Sequence, residues 1–190
     1  MQKVTLEGRH VRLEPLEERH RELVRPAAQH PEIFTVTTSA YGAHYGPYFD
    51  NALKRSDGMH EIAFAVFHKE LGRPVGMTRY LNIDEPNRRL EIGATWYEPS
   101  VWAGVVNPEC KYLLMRHAFE DLKFNRIEFK TDARNARSRS AILKLGAKQE
   151  GVFRKHMVLA DGYVRDSVYF SIIDDEWPAV KAGLEKRLKS

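Results

Sequence analysis

The chain has 190 residues, 43% hydrophobic and 29% charged, which describes a single domain over residues 1–190 with a core of its own and excludes a disordered polymer. The net charge of +4 comes with no long basic run, RNP-type motif or zinc-finger spacing, so it reads as a solvated surface with no specific nucleic-acid partner, and it suits an anionic small ligand. The one cysteine, Cys110, excludes an intramolecular disulfide, and no stretch approaches the roughly 20 apolar residues of a membrane span, so a cytoplasmic location without a membrane partner is expected, as is the absence of a secretory signal at the N-terminus.

In chain order, residues 10–16 (HVRLEPL) alternate as a strand with Val11 and Leu13 on one face. Residues 17–30 read as a helix broken or kinked at Pro26. Residues 31–48 carry no clear period, and 47–56 read as a short helix. Strands follow at 61–70, 74–84 and 87–99; in the last, Gly93 marks a bulge or a close backbone approach. A helix opens at Asn107, a strand covers 126–133, and a second helix runs from Asn135 to Gly146. Residues 148–173 hold two strands joined by Asp161-Gly162, a hairpin dipeptide. Residues 174–188 form an amphipathic helix. The pattern is α/β (α+β): a mixed, mostly antiparallel sheet of six to seven strands with helices on both faces.

Two helix starts carry chemistry. Asn107 reads as an N-cap with Pro108 at the first helical position, and the free amides and dipole beyond it make an anion site, as at any helix start. Lys111 falls at the azimuth of Met115, Ala118 and Leu122, on the apolar side, where it either snorkels or meets an anion. Glu109 in the same turn would compete for the dipole. At the second start, Asn135 caps a helix whose apolar stripe is Ala141, Ile142 and Leu145. Ser138 lies in that stripe, bonding back to a helix carbonyl or projecting into a cleft. Arg137 and Lys144 share a flank, as solvated surface or as phosphate partners.

Taken together, GRHVRLEPL (8–16), LEIGATW (90–96), W-x-x-V-x-N-x-E (102–109), KYLLMRHAFEDL (111–122), NARSRSAILKLGAKQEGVFRK (135–155) and DGYVRDSVYFSII (161–173) resemble the GNAT acetyltransferase superfamily. The resemblance is narrower to its RimJ/RimL-type N-terminal acetyltransferases. It implies the GNAT fold, acetyl-CoA (coenzyme A) as cosubstrate, no metal, and direct transfer of an acetyl group to a primary amine. The family's phosphate loop is Arg/Gln-x-x-Gly-x-Gly/Ala; Trp102, Val105 and Asn107 stand at its three defined positions, so the loop departs from the pattern. The resemblance implies that the amides around Val105, Val106 and Asn107 hold the pyrophosphate, with Lys111 compensating for the missing glycines. It also implies that Asn135, Arg137 and Ser138 touch the cofactor, and that the strand at 87–99 splays from the strand at 126–133. Backbone groups of Thr95, Trp96 and Tyr97 would then pair with pantetheine.

In the implied chemistry Glu91 is the general base, with a structural ion pair as the alternative. The Trp96 N–H donates to the oxyanion. Ser138 serves the leaving thiolate, because Ile142 stands where many members carry a tyrosine. The implied acceptor is a protein N-terminal amine, ribosomal or other, or a small amine. Residues 34–49, with Phe34, Tyr41, Tyr45, Tyr48 and Phe49, either line the acceptor side or form a satellite core. A non-catalytic acetyl-CoA-binding protein and a homodimer stay open.

Overall fold

The computed structural model describes residues 1–35, 45–57, 60–159 and 161–189. The strands are β1 (Leu6–Glu7), β2 (Val11–Pro15), β3 (Ile62–His68), β4 (Arg73–Asp84), β5 (Arg89–Tyr97), β6 (Arg126–Asp132), β7 (Lys148–Val158) and β8 (Val164–Ile173). They form one sheet in the order β1-β2-β3-β4-β5-β6-β8-β7. Neighbours are antiparallel except β5 and β6, which run parallel. The eighth strand beyond the expected six to seven is β1, whose two residues are too short to show a period.

The helices are α1 (Arg21–Val24), α2 (Tyr45–Asp57), α3 (Val106–Arg116), α4 (Ala136–Leu143) and α5 (Trp177–Lys189). One face of the sheet carries the larger core, where Leu90, Ile92, Ile127, Phe129, Val168 and Phe170 meet Cys110, Leu113 and Leu114 of α3 and Trp177 and Leu184 of α5. The other face is covered on its β2–β4 half, where Ala63, Ala65 and Met77 pack under Val24, Tyr45, Tyr48, Phe49 and Ala52. Tyr45, Tyr48 and Phe49 are thus core residues; Tyr41 lies outside the described residues. The expected helix at 17–30 is broken into 3₁₀ turns on either side of α1, as Pro26 requires by removing an amide donor.

The decisive irregularity is in β5. Met77 of β4 faces Trp96, and Arg79 faces Gly93. Three steps along β5 therefore match two along β4, a β-bulge. The extra residue is Ala94, at φ +46°, rather than the expected Gly93. Nor does another backbone approach Gly93; its near neighbours are side chains, a Cβ there lying 2.9 Å from both Glu91 Oε1 and Leu81 Cδ1. The insertion reverses which side chains face which core. Leu90 and Ile92 point into the α3 side, whereas Trp96 packs on the α2 side. Pairing of β5 with β6 covers only Arg89–Glu91 against Arg126–Glu128. Beyond Glu91 both strands continue without pairing to each other, leaving a gap.

Glu109 ties α3 to the strand edge. Its carboxylate, 4% exposed, accepts the N–H of Arg9 (2.8 Å), His10 (2.8 Å) and Val11 (2.8 Å). Facing these donors, it does not compete for the helix start as the sequence suggested. Glu109→Ala would leave three donors without an acceptor. The expected loss is about 3 kcal/mol or more, read as a lower denaturation midpoint in urea; Glu109→Gln, which keeps one acceptor, should lose less.

Candidate active site

Three backbone segments converge on the gap between β5 and β6. The first is β5 beyond the bulge. Glu98 donates its N–H to the Val75 carbonyl (2.8 Å), and Trp96 turns its carbonyl toward Gly76, whose hypothetical Cβ would meet it at 2.1 Å. In an antiparallel ladder hydrogen-bonded residues alternate. The Trp96 amide therefore belongs to the β4 side, which corrects its expected role as the donor facing the gap. Thr95 and Tyr97 present their backbone groups to the gap instead. The Trp96 side chain is buried, with its indole N–H on the Tyr48 hydroxyl (3.0 Å).

The second segment is the start of α3. The helix begins at Val106, and the Val105 carbonyl accepts the first helical bond from Glu109 N–H (3.0 Å). Val105, not Asn107, stands at the cap position, and no side chain caps this turn. Val106 and Asn107 supply the amides of this turn, since Pro108 has none. Ala103, in the preceding loop, holds φ +61°, a left-handed conformation for which glycine is usually chosen. Lys111 is absent from this turn. It is 6% exposed and inserts between α3 and the sheet. Its Nζ donates to Thr95 Oγ1 (2.6 Å) and Thr78 Oγ1 (3.5 Å). The expected pyrophosphate contact of Lys111 is thereby corrected: the ammonium sits under the bulge.

The third segment is the start of α4. Asn135 caps it as expected, its Oδ1 accepting the Ser138 N–H (2.9 Å). That oxygen is occupied, leaving the carboxamide N–H₂. Ser138 is half-buried in the first turn, and no described residue hydrogen-bonds its hydroxyl. Arg137 lies over the Trp102 ring at 3.9 Å, and the Trp102 indole donates to the Tyr97 carbonyl (2.8 Å). One indole thus links β5, the α3 loop and α4.

On the α2 face of the sheet, Glu91 is 3% exposed. Its Oε2 accepts from Asn82 Nδ2 (3.0 Å) and lies 3.3 Å from Lys130 Nζ. Burial raises its carboxyl above the usual range, against the opposing pull of Lys130. Cys110 is fully buried, and that burial pushes its thiol up to about 12, which removes it as a nucleophile. Among the described residues no group of three His, Cys, Asp or Glu could hold a metal ion. No described helix is long and apolar enough to cross a membrane.

Residues 10–148 match the family described as the acetyltransferase (GNAT) domain. The chain belongs to the GNAT family. A GCN5-related N-acetyltransferase from Brucella melitensis superposes with a TM-score of 0.91 at 32% identity, over 99% of this chain and 86% of that one. YdaF of Bacillus subtilis, provisionally named a ribosomal N-acetyltransferase, is 31% identical over 58% of this chain and 59% of its own length. RimJ of Mycobacterium smegmatis, solved with CoA-disulfide, shares the fold at a TM-score of 0.81 and 19% identity, over 97% of this chain and 95% of that one.

Within this GNAT chain the site includes residues that sequence reasoning missed. Asn82 and Lys130 hold Glu91, and Arg165, Ser167 and Tyr169 line the same face. Their signal was strand alternation: they interleave with the core residues Phe129, Val168 and Phe170.

Lys111 predicts a pH dependence. Burial lowers its pKa to about 8, below the unfolded value near 10.4. The folded state then binds fewer protons than the unfolded state between about pH 8 and 10.4, so this group adds stability as pH rises through that window. Below it the burial penalty is complete, on the order of 3 kcal/mol. Lys111→Met should therefore raise unfolding free energy at pH 7 and abolish the rise above pH 8, measured as the difference between the wild-type and variant urea curves.

Proposed function

We propose that the chain is an acetyl-CoA-dependent N-acetyltransferase whose acceptor is a primary amine at a protein or peptide N-terminus. The observation that carries this is the β5–β6 gap, bounded by Thr95 and Tyr97 backbone groups and by the starts of α3 and α4. These features fit an extended thioester arm that ends in a pyrophosphate. The amides of Val106 and Asn107 would hold the pyrophosphate with the α3 dipole behind them. Val105 would pack beside it, and Arg137, Asn135 and Ser138 would line the other side. Thr95 and Tyr97 would pair with the amide groups of the arm as an added strand. The name of YdaF supports a protein acceptor.

Glu91 would act as the base. An acceptor ammonium gives one proton to the Glu91 carboxylate, and the resulting amine attacks the acetyl carbonyl. The C–N bond forms, and as the C–S bond breaks the nitrogen passes its second proton to the departing sulfur through the Ser138 hydroxyl, which donates one proton and accepts the other, so that coenzyme A leaves as the thiol. The raised pKa of Glu91 brings it nearer the working pH of a general base, and Lys130 keeps it ionised while it waits. The gap-facing donor at Thr95 or Tyr97 would stabilise the oxyanion. Cys110 is too buried and too weakly acidic to carry the acetyl group, which favours direct transfer.

Incubation with acetyl-CoA and a panel of peptides and small amines should release free thiol. No release from any amine, together with no thermal stabilisation by acetyl-CoA, would overturn the reading. Saturating acetyl-CoA at about 100 times its Kd should add roughly 2.7 kcal/mol of stability. Glu91→Gln should lower kcat/KM by about ten- to a thousandfold and leave a rate that climbs steadily with pH. Ser138→Ala should lower kcat and keep the wild-type profile shape. An unaltered profile in Glu91→Gln would remove it as base.

A further inference from the structure

The half of this face that lies beyond α2 holds a dense set of charges, several of them buried. Ile127, Phe129, Val168, Phe170 and Ile172 turn toward the α3 side. Strand alternation therefore places Glu128, Lys130 and Asp132 of β6 and Arg165, Ser167 and Tyr169 of β8 on the opposite face. The carboxylates there are occupied. Asp132, 1% exposed, is held by Arg134 through its side chain (Nη2–Oδ2 2.9 Å) and its backbone N–H (2.8 Å). The Tyr163 ring covers that guanidinium at 3.3 Å. Glu91 is held by Lys130 and Asn82. Glu128 lies 2.8 Å from Arg126 and 3.6 Å from Arg89. His156 spends its Nδ1 on the Ser167 hydroxyl (3.0 Å).

One cation is left over. Arg165 is 4% exposed, its Nε is buried without a partner, and its guanidinium makes no ion pair or hydrogen bond with any described residue. Lys111 can relieve its burial by shedding a proton; arginine cannot near neutral pH. Arg165 therefore stays a buried, unpaired charge, an arrangement that proteins avoid unless a partner arrives. Its position says where that partner would come from. Ser167 faces Asp132 across the ladder, and Arg165 lies two residues farther on, where β6 ends and α4 begins. Asp132 and Glu91 both exert electrostatic pull on it. Strand alternation puts it on the same face as Glu91, just past the C-terminal end of β6.

We propose that Arg165 binds a carboxylate carried by the acceptor, next to the amine that Glu91 deprotonates. A single planar guanidinium matches a carboxylate in charge and can meet it through two parallel hydrogen bonds. A phosphate dianion would bring a second negative charge toward Glu91 and Asp132. The carboxylate has two sources: an acidic side chain near a peptide N-terminus, or the α-carboxylate of a free amino acid. The inference rests on the transferase reading and deepens it by naming the acceptor class.

The test compares acceptors that differ only by carboxylate and amide. One arm uses C-terminally amidated peptides with Asp or Glu against Asn or Gln at the second and third positions. The other uses free amino acids against their amides. In one arm the wild-type protein should favour the carboxylate by at least about tenfold in kcat/KM, the size expected for one charge-assisted pair. Arg165→Gln should bring that ratio to about one with the KM for acetyl-CoA unchanged, and Arg165→Lys should keep part of it. Equal use of both members in both arms by wild type, or an equal loss on both in Arg165→Gln, would overturn the inference. Should no amine release thiol, the transferase reading fails, and thermal shifts decide the site alone. Wild type with coenzyme A should then be stabilised by the carboxylate member only, and Arg165→Gln by neither; absence of any selective shift overturns the site. Apo Arg165→Gln should melt no lower than wild type, whereas a merely structural guanidinium would lower it.

Discussion

One additional residue in β5 organises the site. Without the bulge, strict alternation of the same residues would place Trp96 on the same face as Leu90 and Ile92, toward α3. With it, Trp96 joins the α2 core and anchors to Tyr48, while Thr95 drops its hydroxyl beneath the strand. The bulge also ends the β5–β6 ladder at Glu91, so that backbone groups face open space instead of one another. Such a kink stores strain, here in the positive φ of a non-glycine residue. The Thr78–Thr95 hydroxyl pair at 2.8 Å and the Lys111 ammonium below it hold the distortion in place. A buried lysine with no carboxylate partner is an expensive prop near neutral pH, where burial opposes its charge.

Glu109 shows how the same helix serves two masters. Its first turn offers amides toward the gap, and an acidic residue there would ordinarily lower the affinity for an anion. The carboxylate instead accepts three amides from the turn that joins β1 and β2. Its charge is absorbed by fixed donors, and the same contact sets the orientation of α3 against the sheet edge. The proposed anion binding at one side of the turn and the anchoring at the other are compatible because the Glu109 side chain turns away from the helix start.

Much of the element order was legible because hydrophobic period survives burial: the strands, the hairpin at Asp161-Gly162 and the Asn135 start all follow from local pattern. Asn135 was readable because its side chain does the capping. The α3 start was misplaced because no side chain caps it, which leaves no residue signature. The apolar azimuth of Lys111 was also visible, but its partners lie 16 and 33 residues away on two strands, beyond the reach of helical periodicity. The bulge was assigned to Gly93 because glycine is its usual mark, whereas the chain uses Ala94. Arg165 and Lys130 alternate with core residues, and that pattern reads as a wet face until the ladder brings β6 and β8 together and the carboxylates are counted.

The strand order carries a consequence for biosynthesis. β8 lies between β6 and β7, yet it is the last of the three to be made. While the chain emerges from the ribosome, the outer edge of β6 stays bare until about forty further residues have been added, a delay of a few seconds at about 5–20 residues per second. During that interval β7 has no ladder partner either, so two strands with exposed hydrogen-bonding edges coexist in the nascent protein. Insertion of β8 closes both at once and, in the same motion, brings Arg165 beside Asp132. The face that carries Glu91, Lys130 and Asp132 is consequently completed only late in translation, and a ribosome stalled between β7 and β8 would display β1–β6 without Arg165.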